Sequence, residues 1–277
     1  MKGRGKSSRK KVGLALGSGA ARGLAHIGVL EVLERESIPV DMIAGASAGA
    51  LVGALYAQGK SLSQIEELAT SMSWKKIAPL VDIALPRTGF IGGKRIKDLV
   101  SSIIGDVKFE DLPIPFSCVA ADIMTGEEVV INQGSVVEGV RASISIPIIF
   151  TVVKQKGRYL VDGGLVDPVP VSVVKQMGAD FIIAVNVIPD VKERIHWVDK
   201  ERAHDPKEPH LFSVMMQSIY ISSYSLVESS LEGADVVIEP RMAHIGAGDF
   251  HRAQECIVQG ELAAQDSILE IKRQLQA

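Results

Sequence analysis

The chain has 277 residues, 30 Lys plus Arg, 33 Asp plus Glu and a net charge of −3. With 47 % hydrophobic and 23 % charged residues, its composition is that of an ordinary globular protein, which excludes a collagenous, coiled-coil or wholly disordered chain, and the length supports a sizeable core. The charge is uneven. The first eleven residues carry Lys2, Arg4, Lys6, Arg9, Lys10 and Lys11 and no acid, so a +6 segment precedes a −9 body. That acidic body argues against nucleic acid as a partner. Residues 1–11 read as a basic, disordered tail and 12–277 as one domain. Cys118 and Cys256 are too few and too far apart for a disulfide scaffold or a metal knuckle, and read as buried free thiols. The stretch VGLALGSGAA resembles a short export signal, but it is thin, glycine-rich and ended by Arg22. No stretch has the roughly 18 strongly apolar residues of a spanning helix.

In chain order, Val12–Leu16 reads as a buried strand and Gly17–Gly23 as a glycine-rich turn. Leu24–Glu36 carries apolar residues at helical spacing. Val40–Ala44 reads as a second strand, followed by the turn GASAG and a helix over Ala50–Gln58 with Gly59 at its C-terminus. This β–turn–α–β–turn–α opening argues for an α/β domain with a parallel sheet covered by helices. Ser63–Glu66 reads as a capping box. Pro79–Gly93 reads as a loop exposing Leu80, Ile83, Leu85, Phe90 and Ile91, and Lys94–Ile104 as a helix. Phe116–Ile123 and Glu127–Ile131 form an expected hairpin around Met-Thr-Gly. Ser135–Ser143 reads as helix, and Ile149–Val153 with Arg158–Val161 as a second hairpin. Val169–Met177 follows as helix and Phe181–Val187 as a central parallel strand. Lys192–His210 reads as a mobile charged loop. A long helix over Leu211–Leu231, a strand over Ala234–Glu239 and a helix over Phe250–Leu275 close the chain.

Three segments point to chemistry. Gly45-Ala46-Ser47-Ala48-Gly49 lies between an expected strand and helix, where a serine is pushed out of the backbone and the glycines admit close neighbours. Gly17-Ser18-Gly19-Ala20-Ala21-Arg22-Gly23 places backbone N–H groups at a helix start, suited to an oxyanion or another anion. It competes with a dinucleotide fingerprint, although Arg22 occupies the sixth position and glycine is displaced to 23; Asp41 lies where a ribose-binding acid would be sought. Asp162-Gly163-Gly164 ends a strand with an acid that a serine nucleophile could use as base. Residue types alone leave His26, His196, His204, His210, His244 and His251 open as rival bases. No cluster suggests a metal, and no cofactor is implied by the serine reading.

Together GSGAARG, GASAG and DGG, in this order and at these intervals, resemble the patatin-like phospholipase family, in particular its bacterial branch related to the neuropathy target esterase catalytic domain. The resemblance runs from Val12 to the final helix. It implies a three-layer fold with a central, mostly parallel sheet. It also implies a Ser47–Asp162 dyad without histidine, and an oxyanion hole from the N–H groups of Gly19, Ala20 and Ala21. Gly17, Arg22, Gly23, Gly45, Gly49, Gly163 and Gly164 complete the motifs. The activity implied is hydrolysis of fatty-acyl esters, phospholipid or lysophospholipid, without metal or organic cofactor. Ser18, where the family often has glycine, is a departure. The remaining readings are a dinucleotide-dependent oxidoreductase and a non-catalytic regulator with the same fold. A cytoplasmic protein touching anionic membrane through its tail is the expected setting.

Overall fold

The structure, a computed structural model, describes residues 9–71, 89–91, 93–195, 208 and 211–276. Its strands are β1 (Val12–Leu16), β2 (Met42–Ala46), β3 (Gly89–Ile91), β4 (Phe116–Asp122), β5 (Glu128–Ile131), β6 (Ile148–Phe150), β7 (Val153–Gln155), β8 (Arg158–Asp162), β9 (Phe181–Val185) and β10 (Val236–Ile238). Its α-helices are α1 (Ala25–Arg35), α2 (Ala48–Ala57), α3 (Leu62–Ser71), α4 (Gly93–Ile104), α5 (Val136–Ser143), α6 (Val171–Gln176), α7 (Leu211–Ser230) and α8 (Ala253–Gln276).

The main sheet runs β10-β9-β1-β2-β4-β8-β7, with β5 paired to β4. The stretch from β10 to β4 is parallel; β5, β7 and β8 add antiparallel pairings. The pleat explains the three layers, because alternate side chains enter opposite faces. Leu14, Leu16, Ile43, Ile183 and Val185 enter a large core shared with α1, α2 and α8. Ala15, Met42, Ala44, Ile182 and Ala184 enter a smaller core with Val171, Val173 and Val174 of α6. Central strands apolar on both faces are what a sheet covered on both sides requires. On the large-core side α1 and α8 touch through glycines. A Cβ on Gly28 would stand 2.0 Å from Ile257 O, and one on Gly260 1.9 Å from Ala25 O.

Several expected boundaries move. β2 occupies Met42–Ala46, not Val40–Ala44, because Gly13 pairs with Met42 and the Asp41 N–H already donates to Val12 O. The capping box is Ser61 with Gln64, not Ser63 with Glu66: Ser61 N donates to Gln64 Oε1 at 3.0 Å and Gln64 N to Ser61 Oγ at 3.3 Å. The second hairpin joins β7 to β8, and Ile148–Phe150 pairs instead with Gly89–Ile91 in a separate parallel ribbon. Its turn is tighter than expected because Lys156 and Gly157 both take positive φ, 47° and 81°, as a two-residue hairpin loop of the favoured twist demands. Gly89–Ile91 is therefore strand, while Leu80, Ile83 and Leu85 lie outside the described residues, as do His196, His204 and His210. A 3₁₀ turn over Phe250–Arg252 precedes α8.

The basic segment is partly tied down. Arg9 makes two hydrogen bonds to Asp41, both 2.5 Å, Lys10 Nζ reaches Gln274 O at 2.8 Å and Lys11 N donates to Asp180. Lys2, Arg4 and Lys6 lie outside the described residues. Among the described residues no helix is long and apolar enough to cross a membrane.

Candidate active site

Strand register brings Ser47 and Asp162 together. β4 pairs in parallel with β2 as far as Ala46↔Val119. It pairs antiparallel with β8 from Ala120↔Asp162 onward. The C-terminal ends of β2 and β8 therefore meet head to head at adjacent residues of β4, although 115 positions separate the two side chains in sequence. Ser47 Oγ donates to Asp162 Oδ2 at 2.5 Å. Both residues are buried.

Ser47 has φ 52° and ψ −118°, a conformation that costs a non-glycine residue of order 1–3 kcal/mol. The glycines around it permit the bend. A Cβ on Gly45 would lie 2.5 Å from Gly49 O, and one on Gly49 2.1 Å from Leu16 O. Sequence reasoning missed the support beneath the turn. Ser47 N donates to the buried Ser143 Oγ at 2.9 Å, and Asp162 N donates to Ser145 O at 3.0 Å. The end of α5 and the turn that follows it thus hold both backbones, and no motif advertises them. Replacing Ser143 with alanine would leave a buried donor unmet, worth about 1–3 kcal/mol. Ser143→Ala is expected to remain folded and to lose roughly 10–100-fold in kcat with little change in KM, measured by steady-state kinetics beside a thermal melt.

Asp162 carries the clearest electrostatic signature. Burial raises its pKa from 3.8 to about 6, against the opposing hydrogen bonds from Ser47 Oγ and Gly164 N. Gly164 N donates to the other carboxylate oxygen, Oδ1, at 2.8 Å. The carboxylate is thus oriented by a backbone donor and remains basic enough to accept a proton near neutral pH.

The glycine loop follows β1 at the same edge of the sheet. Ser18 N is fixed to Pro168 O at 2.8 Å, beyond the Asp-Gly-Gly turn. Among the described residues, the N–H groups of Gly19 and Ala20 meet no acceptor. Ala21, grouped with them by the resemblance, differs: its N–H donates to Ala247 O at 3.1 Å, so two donors remain. Arg22 is buried. Its Nε donates to Ile245 O at 2.7 Å, and its guanidinium lies 5.1 Å from the Tyr220 ring centre. Burial, and secondarily Arg194, lowers its pKa to about 10. Gly23 packs against α2, where an added Cβ would lie 2.3 Å from Ala48 Cβ, and Gly163 lies against Val119 O. Gly17 N donates to Val185 O at 3.0 Å.

His26 supports this loop from below. Its Nε2 lies 2.8 Å from Gly17 O, and burial holds its pKa down at about 4, so the neutral ring donates to that carbonyl. His244 pairs with Glu255 at 2.7 Å. The side chain hydrogen-bonded to the Ser47 hydroxyl is an aspartate. Asp41 does not join the site either. It precedes β2, at the opposite edge of the sheet from the glycine loop, and its carboxylate is taken by Arg9 and Val12 N. A ribose-binding acid would be needed at the carboxyl edge. Among the described residues no three His, Cys, Asp or Glu side chains group to hold a metal ion. Cys118 and Cys256 are free and buried.

A recess of about 80 Å³ surrounds Ser47, Asp162, Gly19, Ala20 and Arg22. Met216, Ile219, Tyr220 and Ser223 of α7 form its cover. They are spaced i, i+3, i+4 and i+7, one helical face, so the signal was present in the sequence without its meaning.

Comparison with known proteins places this arrangement. The pattern of the patatin-like phospholipases matches residues 14–175. An uncharacterized NTE family protein of Mycobacterium tuberculosis is 40 % identical over 181 residues, covering 65 % of this chain and 50 % of its own. A lysophospholipase NTE1 of Scheffersomyces stipitis is 31 % identical over 266 residues, 90 % of this chain and 17 % of its own. The chain thus spans about half the length of the mycobacterial relative, and far less of the yeast one. The crystal structure of VipD from Legionella pneumophila shares the fold, with a TM-score of 0.58 at 14 % identity, over 95 % of this chain and 67 % of that one. The match begins within β1 and takes in the glycine loop, the serine turn and the Asp-Gly-Gly turn alike, and the chain belongs to the patatin-like phospholipase family.

Proposed function

We propose that the protein hydrolyses fatty-acyl esters, phospholipid or lysophospholipid, through a covalent acyl-enzyme on Ser47. The observation that carries this reading is the 2.5 Å hydrogen bond from Ser47 Oγ to a buried carboxylate of raised pKa. Asp162 takes the hydroxyl proton as Oγ bonds to the acyl carbon. The carbonyl oxygen becomes an oxyanion, met by the N–H groups of Gly19 and Ala20 at the start of the 3₁₀ turn. The tetrahedral centre collapses, the ester C–O bond breaks, and the proton on Asp162 leaves with the alcohol. Water then adds to the acyl carbon, giving its proton to Asp162. The C–Oγ bond breaks, the fatty acid departs and the proton returns to Ser47. Each such oxyanion donor is worth about 10²–10³ in rate.

The names of the relatives support the lipid class. Hydrolysis of a panel of p-nitrophenyl esters and lysophospholipids tests the reading. Turnover of at least one panel member is expected, and a folded enzyme inactive on all of them would contradict it.

Contact with an anionic bilayer belongs to the same reading and is assigned chiefly to Lys2, Arg4 and Lys6, since the side chains of Arg9 and Lys10 already bind the body. Each cation near the surface contributes about 1 kcal/mol. Deleting residues 2–8 is expected to weaken cosedimentation with phosphatidylserine vesicles; unchanged cosedimentation would remove the tail from the account.

A further inference from the structure

A second cavity lies on the large-core side of the sheet, among α1, α2, α3 and α4. Its volume is about 280 Å³, more than three times that of the recess around Ser47 and near the lower end of ligand-sized pockets, about 300–1,000 Å³. Its walls include Ile27, Leu51, Leu55, Leu68, Ala69 and Leu99. The cavity is lined mainly by apolar side chains, and its two hydroxyls have their protons engaged. Ser71 Oγ donates to Leu68 O at 2.9 Å and Ser102 Oγ to Leu99 O at 2.7 Å, each closing on its own helix. A polar ligand placed here would find few partners to replace its hydrogen bonds to water, whereas an alkyl chain would lose none.

The cavity is aligned with the reacting serine. Ser47 caps α2, and Leu51 and Leu55 follow it at i+4 and i+8, on one row of the helix. Leu51 therefore stands about 6 Å along the axis from Ser47, at a rise of about 1.5 Å per residue. Leu24, the last residue of the 3₁₀ turn that carries the oxyanion donors, lies on the same wall. The recess at Ser47 is much the smaller of the two, and the nearest apolar volume along its own helix is this one.

We infer that the cavity among α1, α2, α3 and α4 receives the acyl chain of the ester attacked by Ser47, and so sets acyl-length preference. The inference rests on the ester-hydrolase reading. It assigns the headgroup to the other side of the serine, beneath α7, and the chain to the α2 row.

The test compares kcat/KM for p-nitrophenyl acetate, octanoate and dodecanoate. Each methylene buried is worth about fourfold. The dodecanoate-to-acetate ratio is expected to fall at least tenfold in Ala69→Phe and in Leu99→Trp, which fill the cavity from two different helices. It is expected to rise in Leu68→Ala, which enlarges it. Leu99 and Leu68 are only half-buried, so these variants keep the test open if Ala69→Phe does not fold. An unchanged ratio in folded Leu99→Trp and Leu68→Ala would overturn the assignment while leaving ester hydrolysis standing. A wild-type enzyme that cleaves none of the three esters and no lysophospholipid would instead overturn the hydrolase reading on which it rests.

Discussion

Asp162→Asn is expected to fold, to lose about 10⁴-fold in turnover and to be more stable than the wild type at neutral pH. The loss follows from removing the proton acceptor of Ser47 Oγ while keeping its shape; comparable replacements of a catalytic-site aspartate cost about that factor. The gain follows from the sign of the pKa shift. Folding raises the carboxyl from 3.8 to about 6, so the folded state holds this proton more tightly than the unfolded chain. Stability from this group is therefore fully present below about pH 3.8 and is lost as pH rises through 6. At pH 7–8 the ionised, buried carboxylate costs up to about 3 kcal/mol, which a neutral amide avoids. Urea unfolding of both proteins at pH 8 and pH 4 checks this: the advantage of the variant should shrink at the lower pH. The same shift sets the pH profile expected of the proposed reaction. Wild-type kcat/KM should fall about tenfold per pH unit below 6, as protonation removes the base. Full activity in Asp162→Asn, or a profile flat from pH 7 to 4.5, would assign proton transfer to another group.

Ser47 gives the second large effect. Ser47→Ala and Ser47→Gly should both lose hydrolysis by 10⁴-fold or more, since no hydroxyl remains to attack. Their stabilities should nevertheless differ. Both lose the bond to Asp162, but only glycine relaxes a backbone held at φ 52° and ψ −118°. Ser47→Gly is therefore expected to be more stable than Ser47→Ala by about 1 kcal/mol or more. Ordinarily glycine is the less stable of the two by about 0.5–1 kcal/mol. Equal stability, or the ordinary order, measured by denaturant midpoint would show that the serine turn stores no strain.

The sequence made the glycine loop, the serine turn and the Asp-Gly-Gly turn legible because each is a local device: strand, tight turn, helix. It made the parallel strands legible because Val12–Leu16 and Phe181–Val185 are apolar on both faces. Partnership was not legible. The meeting of Ser47 with Asp162 depends on β2 and β8 ending at neighbouring residues of β4, a register that periodicity does not encode. Without the family resemblance, the histidines remained equal candidates. Ala21 illustrates the same limit. Its N–H resembles those of Gly19 and Ala20 in sequence, yet its acceptor lies 226 residues away at Ala247. Ser143 supports the Ser47 turn from a helix with no recognisable signature. The Ser61–Gln64 cap was missed because Ser63–Glu66 offers the same spacing two residues later, and only the helix start decides between them.

The most direct measurement is covalent. The folded enzyme is treated with a fluorophosphonate and digested, and the modified residue is located by mass spectrometry. One phosphonylated serine is expected in the wild type, Ser47, with no adduct in Ser47→Ala and labelling that slows as pH falls through 6. A folded wild-type protein that takes no label, or a label that persists in Ser47→Ala, would contradict a nucleophilic Ser47.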